Sequence, residues 1–207
     1  MIHCIGDSHM QIFAQPHGSP KWDESNVNSL LQIRNNQFAA YYIGPATAYN
    51  VNKHQMLVDM IAKRFITSND KIMFVLGEID CRAHVVKQSR MQGTSIKSIA
   101  QEVADRMFAF IVTNIKYHPI AWGPYYTHSR TVEDSNSAIP FYPVGLPQER
   151  NLAIDYYNAR LKSLAKSINI PYVSICNNQK VTFSDDIHLN WSSLGIIVEE
   201  LHKVGIL

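Results

Sequence analysis

Cysteine, blocks of like charge and long apolar runs are all scarce in this sequence. Its three cysteines, Cys4, Cys81 and Cys176, are widely spaced and form no CxxC pair, so neither a disulfide framework nor a metal site is expected. The formal net charge is only +2 and Lys and Arg form no block, which argues against a nucleic-acid partner. The apolar runs are far shorter than a membrane span, so no membrane partner is expected either.

What the sequence does contain is the composition of one globular domain. Hydrophobic residues make up 46% and charged residues 17% of the 207 residues, which is ample for a single core. The chain has no repeat, low-complexity tract or linker, so residues 1–207 are interpreted as one domain. The first apolar run starts at Ile2 and leaves no room for a signal peptide, so a cytoplasmic protein is expected.

Apolar, β-branched runs alternate along the chain with segments of helical character. Five runs are typical of strands buried on both faces: Ile2–Ile5, Ala39–Ile43, Ile72–Leu76, Ile120–Trp122 and Tyr172–Ile175. The main candidate helices are Lys53–Phe65, Thr94–Tyr117, Gln148–Ser167 and Trp191–Val204. This alternation predicts a three-layer α/β/α sandwich around a mostly parallel five-stranded sheet with right-handed crossovers.

Two stretches interrupt the alternation. Gln15–Gln37 carries Pro, Gly and Asn residues, with either a helix or a short strand around Asn28–Arg34. Gly123–Pro147 is longer than an ordinary connection and follows the carboxyl end of a strand, where long loops commonly carry function. Its Tyr125 and His128 are therefore candidates for contact with a polar substrate such as a sugar.

Residues that could take part in catalysis or binding follow the ends of the predicted strands. Ser8 follows the first strand within Gly-Asp-Ser, and Gly44 follows the second. Residues 77–82 read Gly-Glu-Ile-Asp-Cys-Arg after the third strand, and residues 185–188 read Asp-Asp-Ile-His after the fifth. Because open α/β sheets build their sites at the carboxyl ends of the strands, these residues are expected to form one site.

Together these blocks resemble the GDSL, or SGNH, hydrolase family, whose pattern has a Ser in GDS, a Gly, an Asn in GxND and a DxxH near the C-terminus. The blocks span nearly the whole chain in the family's order. The resemblance implies the flavodoxin-like SGNH hydrolase fold and a metal-independent serine hydrolase without a cofactor. The sequence departs from the family at Ile79, which stands where GxND has its Asn.

The residue types also suit nucleophilic catalysis by a Ser-His-Asp triad. Ser8 is the expected nucleophile and His188 the base that takes its proton. Asp185, three residues before His188, would orient the imidazole and stabilise its cation. Asp186 is the rival orienter, and both aspartates could instead cap the helix that follows.

The oxyanion that forms during acyl transfer needs hydrogen-bond donors, each worth about 2.7–4 kcal/mol. The backbone N–H groups of Ser8 and Gly44 are two candidates. The family resemblance implies a third donor from the Asn, but isoleucine at position 79 offers none. Either the oxyanion hole has two donors, or the third comes from Arg82, which is preferred, from an adjacent backbone amide or from a loop residue. Glu78 or Asp80 could hold Arg82 in place, and all three are candidate substrate-binding residues. The structural alternative is a salt bridge under the loop.

The function favoured by these residues is an esterase that removes a small acyl group, with acetyl preferred, from a sugar or glycan through an acyl-serine intermediate. The alternatives are an O-acetyltransferase that uses the same triad and a non-catalytic carbohydrate-binding pseudoenzyme. Metal-assisted hydrolysis is disfavoured because the His, Asp and Glu residues match no ligand spacing. The expected partner is a small-molecule or glycan ester substrate.

Overall fold

Six strands form one sheet in the computed structural model, which describes residues 1–14, 32–34, 36–126, 141–184 and 187–207. The strands are β1 (Ile2–Gly6), β2 (Gln32–Arg34), β3 (Phe38–Tyr42), β4 (Lys71–Val75), β5 (Pro119–Gly123) and β6 (Tyr172–Ser174). Their order across the sheet is β2-β3-β1-β4-β5-β6. All neighbours pair parallel except β2 and β3, which are antiparallel. The predicted parallel five-stranded sheet is confirmed, with β2 as an added edge strand.

The added strand falls in the first of the two stretches that interrupt the alternation. Gln32 pairs with Tyr41, and Arg34 pairs with Ala39. At these positions the strand alternative is therefore correct. Residues 15–31 and 35, and residues 127–140 of the long second stretch, lie outside the described residues.

Helices cover both faces of the sheet. They are α1 (Gln55–Phe65), α2 (Val85–Gln92), α3 (Ile96–Thr113), α4 (Pro147–Ser167) and α5 (Leu194–Lys203). Single-turn 3₁₀ segments or short 3₁₀ helices occupy Ser8–Ala14, Val51–His54, Ile115–Tyr117 and Trp191–Ser193. The four predicted helices are confirmed, three of them with a 3₁₀ segment at one end. No helix in the described part of the chain has both the length and the apolar character needed to cross a bilayer.

The sequence did not predict α2 or the π-helical turn Asp80–His84 that leads into it. Within α2 only Val85 and Val86 are buried, so the helix has no apolar stripe of helical period to reveal it. Single π-helical turns often lie at functional sites. This one starts directly after the Gly-Glu-Ile segment that follows β4.

Each face of the sheet has its own hydrophobic core. Successive residues of β1 point to opposite faces, so Ile5 packs with α1, α3 and α4, whereas Cys4 packs with the Ser8–Ala14 helix and α5. Across the first face, the rings of Phe74 and Phe110 meet edge to face with centroids 5.0 Å apart. Burying each such ring contributes about 1.5–3 kcal/mol.

The register of the central strands brings their carboxyl ends to one level. Gly6 of β1 pairs with Tyr42 of β3 and with Val75 of β4. The pairing continues one step further, because the Ile43 N–H donates to the Gly6 carbonyl at 2.9 Å. The three segments that follow these strands therefore emerge at the same edge of the sheet.

Candidate active site

A hydroxyl and an imidazole from opposite ends of the chain meet at this edge. His188 Nε2 lies 2.7 Å from Ser8 Oγ. Ser8 starts the 3₁₀ helix that follows β1, and a β-bridge between Phe183 and Leu189 closes the loop that carries His188. At this distance the imidazole can take the serine proton directly.

The predicted orienter of His188 and its rival both lie outside the described residues, so the choice between Asp185 and Asp186 stays a prediction. The flanking residues show how the loop is held. The backbone N–H and the hydroxyl of Ser184 both donate to the His188 carbonyl, at 2.9 and 3.2 Å. These two hydrogen bonds hold the backbone carbonyl of His188 against Ser184.

Two backbone donors stand at the ends of neighbouring strands. Among the residues that the structure describes, neither the Ser8 N–H nor the Gly44 N–H has a hydrogen-bond partner. Gly44 has φ +90°, a conformation that residues with a side chain rarely adopt, which explains a glycine here. Both N–H groups therefore remain predicted oxyanion donors.

Asp80 organises the loop that carries Gly44. Its Oδ2 accepts from the Ala48 N–H at 2.7 Å, and its Oδ1 accepts from the Tyr49 N–H at 3.1 Å. Burial raises the pKa of the Asp80 carboxyl from 3.8 to about 7, although the two N–H groups lower it. The carboxyl of Asp80 therefore ties the π-helical turn to the 44–49 loop.

Glu78 is buried between two cations. Its Oε1 accepts from Arg82 Nε at 2.7 Å, and its Oε2 lies 2.7 Å from His9 Nε2 as an ion pair whose alignment is not that of an ideal hydrogen bond. Burial raises the pKa of Glu78, but the two cations outweigh it and bring the value down to about 2. Conversely, burial lowers the pKa of His9, but Glu78 and Asp7 outweigh it and raise it.

Asp7 supports the turn that presents Ser8. Its Oδ1 accepts from the His9 N–H at 2.9 Å, and the carboxyl is fully buried. Burial raises the pKa of Asp7 from 3.8 to about 6, and the nearby His9 opposes the rise. Asp7 is therefore a cap within the turn, the role that its place in Gly-Asp-Ser indicates.

Arg82 was the preferred third oxyanion donor, but its guanidinium is bonded elsewhere. Its Nε donates to Glu78 and its Nη1 donates to the Phe141 carbonyl, and only 2% of the residue is exposed. No contact joins it to Ser8 or Gly44 among the described residues. Of the two carboxylates expected to hold Arg82, it is Glu78 that does so. The arrangement is that of the salt bridge under the loop.

The four predicted substrate-binding residues that the structure describes share one feature, which is that they are buried with internal partners. Glu78, Asp80, Arg82 and Tyr125 expose 3%, 0%, 2% and 2% of their surface. Their polar atoms bond to other groups of the protein and not to solvent, so these residues hold the segments around the site in place. His128 lies outside the described residues.

Ile79, which stands where GxND has its Asn, is an apolar residue of the protein interior. The residue is buried in the core with 4% of its surface exposed. His9 was not among the predicted site residues, although it contacts Glu78, Asp7 and Tyr125 in the buried polar cluster. Its position directly after the nucleophile was the available signal. Among the described residues, no three His, Cys, Asp or Glu side chains lie close enough together to bind a metal ion.

The parallel sheet with helical layers on both faces is the fold seen in solved GDSL, or SGNH, hydrolases. A member of the lipolytic G-D-S-L family from Veillonella parvula superposes with a TM-score of 0.57 over 98% of this chain and 96% of that chain, at 14% identity. A catalytic mutant of Axe2, an acetylxylan esterase from Geobacillus stearothermophilus, gives a TM-score of 0.56 over 100% and 94%, at 15% identity.

A third solved structure extends this likeness. Est24, a carbohydrate acetylesterase from Sinorhizobium meliloti, superposes with a TM-score of 0.51 over 93% of this chain and 91% of that chain, at 13% identity. Neither protein-family models nor curated proteins give a match. At these identities the comparisons establish the fold, and the function has to be argued from the site.

Proposed function

We propose that the protein is a serine esterase in which Ser8 is the nucleophile and His188 the general base. The observation that carries the proposal is the 2.7 Å contact between Ser8 Oγ and His188 Nε2. A serine hydroxyl is a weak nucleophile unless an adjacent base removes its proton. The N–H groups of Ser8 and Gly44 add two candidate donors for the oxyanion.

The reaction has two half-reactions with balanced proton transfers. Ser8 Oγ attacks the ester carbonyl carbon while its proton passes to His188 Nε2. The bond to the alcohol oxygen then breaks, the alcohol leaves with that proton, and an acyl-serine remains. Water attacks the acyl-serine and gives a proton to His188, which returns it to Ser8 Oγ as the carboxylic acid leaves. Asp185 is the predicted partner of the second imidazole nitrogen.

The proposed substrate is a small acyl ester, with acetyl preferred, on a sugar or glycan. The support comes from two of the structural neighbours, which are an acetylxylan esterase and a carbohydrate acetylesterase. The chemistry of the Ser8–His188 pair fits any activated acyl group, so the acyl chain and the alcohol have to be identified by assay.

The test is hydrolysis of p-nitrophenyl esters of increasing acyl length and of acetylated sugars by the wild type, Ser8→Ala and Ser98→Ala. Ser98 is an exposed serine in α3 and serves as the matched control. Ser8→Ala should lower kcat by about 10³-fold or more, because the members of a triad act as a unit. Ser98→Ala should match the wild type.

The outcomes separate the proposal from its rivals. A rate that falls from acetyl to longer chains, together with release of acetate from acetylated sugars, supports the proposed substrate class. If Ser8→Ala hydrolyses as fast as the wild type, the esterase proposal is wrong. A wild type that binds glycans without hydrolysing any of these esters is the pseudoenzyme.

A further inference from the structure

A series of buried contacts runs from Glu78 to the loop that carries His188. Glu78 Oε2 lies 2.7 Å from His9 Nε2. The other nitrogen of the same ring, His9 Nδ1, lies 2.6 Å from Tyr125 Oη, and Tyr125 donates its proton to the Ile187 carbonyl at 3.0 Å. Because Ile187 directly precedes His188, the series ends one residue from the base.

The hydrogen-bond directions in this series follow from the partners. A backbone carbonyl only accepts, so the single proton of Tyr125 is used on Ile187. Tyr125 Oη must then accept from His9 Nδ1–H. The Nε2 side of the ring faces the Glu78 carboxylate at 2.7 Å, which favours a proton on that nitrogen as well. Both neighbours of the ring therefore favour the imidazolium form of His9.

The same histidine is tied to the turn that presents the nucleophile. The His9 N–H donates to Asp7 Oδ1 at 2.9 Å, so the residues on both sides of Ser8 are joined. The His9 ring also packs on the His188 ring, with centroids 5.0 Å apart. Because 5% of His9 and 2% of Tyr125 is exposed, these contacts are made away from bulk solvent, where they are stronger.

We propose that Glu78, His9 and Tyr125 are positioning residues that hold the His188 loop in register with the Ser8 turn. Glu78 in turn is anchored by Arg82, whose Nε donates to it at 2.7 Å. The inference rests on the proposed esterase function, since it concerns how the base of that reaction is held. It assigns a role to Glu78 and Arg82, which lie on either side of the apolar Ile79 in the sequence.

The test is Tyr125→Phe, with Tyr126→Phe as the matched control. Phenylalanine keeps the ring of Tyr125 and removes only the oxygen that joins His9 to Ile187. Tyr126 is the next residue in the chain, and its hydroxyl contacts Asp155 and Asn177 instead. Steady-state hydrolysis of p-nitrophenyl acetate gives kcat and KM for each variant, and thermal unfolding shows whether each is folded.

The expected result for Tyr125→Phe is a fall in kcat of about 10-fold to 10²-fold, because a small misplacement of a catalytic group costs that much. KM should change less than twofold, because none of the groups removed reaches the substrate. Tyr126→Phe should keep the wild-type kcat. A uniform loss of folded protein would lower the apparent kcat of any variant, so rates are normalised to the folded fraction.

A second variant, Glu78→Gln, removes the charge that holds His9 from the other side. It should also lower kcat while leaving KM nearly unchanged, and the double variant should lose no more than the worse single variant. Such non-additivity is the signature of residues that act through one pathway of contacts. Independent effects that multiply in the double variant would overturn the inference.

The failure of the inference and the failure of the esterase proposal give different results. If the wild type hydrolyses the ester and Tyr125→Phe stays within twofold of Tyr126→Phe in kcat, the inference is wrong and the esterase proposal stands. If neither the wild type nor Tyr126→Phe hydrolyses any ester, both are overturned together.

Discussion

Replacing Asp80 by Asn should make the protein less active and, at alkaline pH, more stable. The carboxyl is fully buried, and its pKa rises from 3.8 to about 7 on folding. Such a rise means that the folded state keeps a proton that the unfolded state has already lost. The contribution of protonated Asp80 to the free energy of unfolding is therefore fully present below pH 4 and is lost as the pH rises toward 7.

The size of this effect follows from the pKa values. The rise from 3.8 to about 7 corresponds to about 4 kcal/mol at pH 8 and to less than half of that at pH 5. Asn cannot ionise and does not show this loss. The free energy of unfolding of Asp80→Asn, relative to that of the wild type, should therefore rise by about 2–3 kcal/mol from pH 5 to pH 8. Urea unfolding at the two pH values measures the difference, with Glu199→Gln on the surface of α5 as a control.

The activity should move in the opposite direction. Asn keeps one oxygen for either the Ala48 or the Tyr49 N–H and presents an NH₂ group to the other, so the 44–49 loop loses one of its two ties. The value of kcat should therefore fall. The rise in activation free energy should not exceed about 2.7–4 kcal/mol, which is the full contribution of one oxyanion donor. A variant that keeps the wild-type slope of stability against pH would refute this reasoning.

Four further substitutions test other parts of the site. Asp185→Asn should lower kcat by about 10²–10⁴-fold whereas Asp186→Asn should have little effect, and the reverse result would exchange their roles. Gly77→Ala should cost about 1–3 kcal/mol in urea unfolding, because φ is +104° and a new Cβ would lie 2.9 Å from the Tyr157 ring. Gly44→Ala meets no atom within 4 Å, so its cost should be only the backbone strain of about 1–2 kcal/mol, with kcat falling as the N–H shifts. Equal unfolding free energies for Gly77→Ala and the wild type would contradict the close contact.

The sheet and the meeting of Ser8 with His188 could be predicted because both follow from simple rules. Continuous apolar runs between helical segments specify a parallel sheet, and parallel strands present their carboxyl ends at one edge. Residues 180 positions apart were therefore expected at one place, and the 2.7 Å contact lies there.

The buried charges could not be predicted from the sequence in the same way. Charged side chains are mostly exposed, and nothing in the pattern around Arg82 or Glu78 distinguishes a buried ion pair from a solvated one. The contact between His9 and Tyr125 spans 116 residues and depends on where the short segment after β5 places the Tyr125 ring. Helix α2 was missed because a mostly exposed helix with two buried valines lacks an apolar period.

The central claim is that His188 activates Ser8, and covalent labelling tests it most directly. Intact-mass spectrometry after treatment with a fluorophosphonate should show one adduct on the wild type, and peptide mapping should place it on Ser8. His188→Ala should be labelled about 10²-fold more slowly or worse, because the hydroxyl has lost its base. An adduct on another residue, or labelling of His188→Ala at the wild-type rate, would contradict the account.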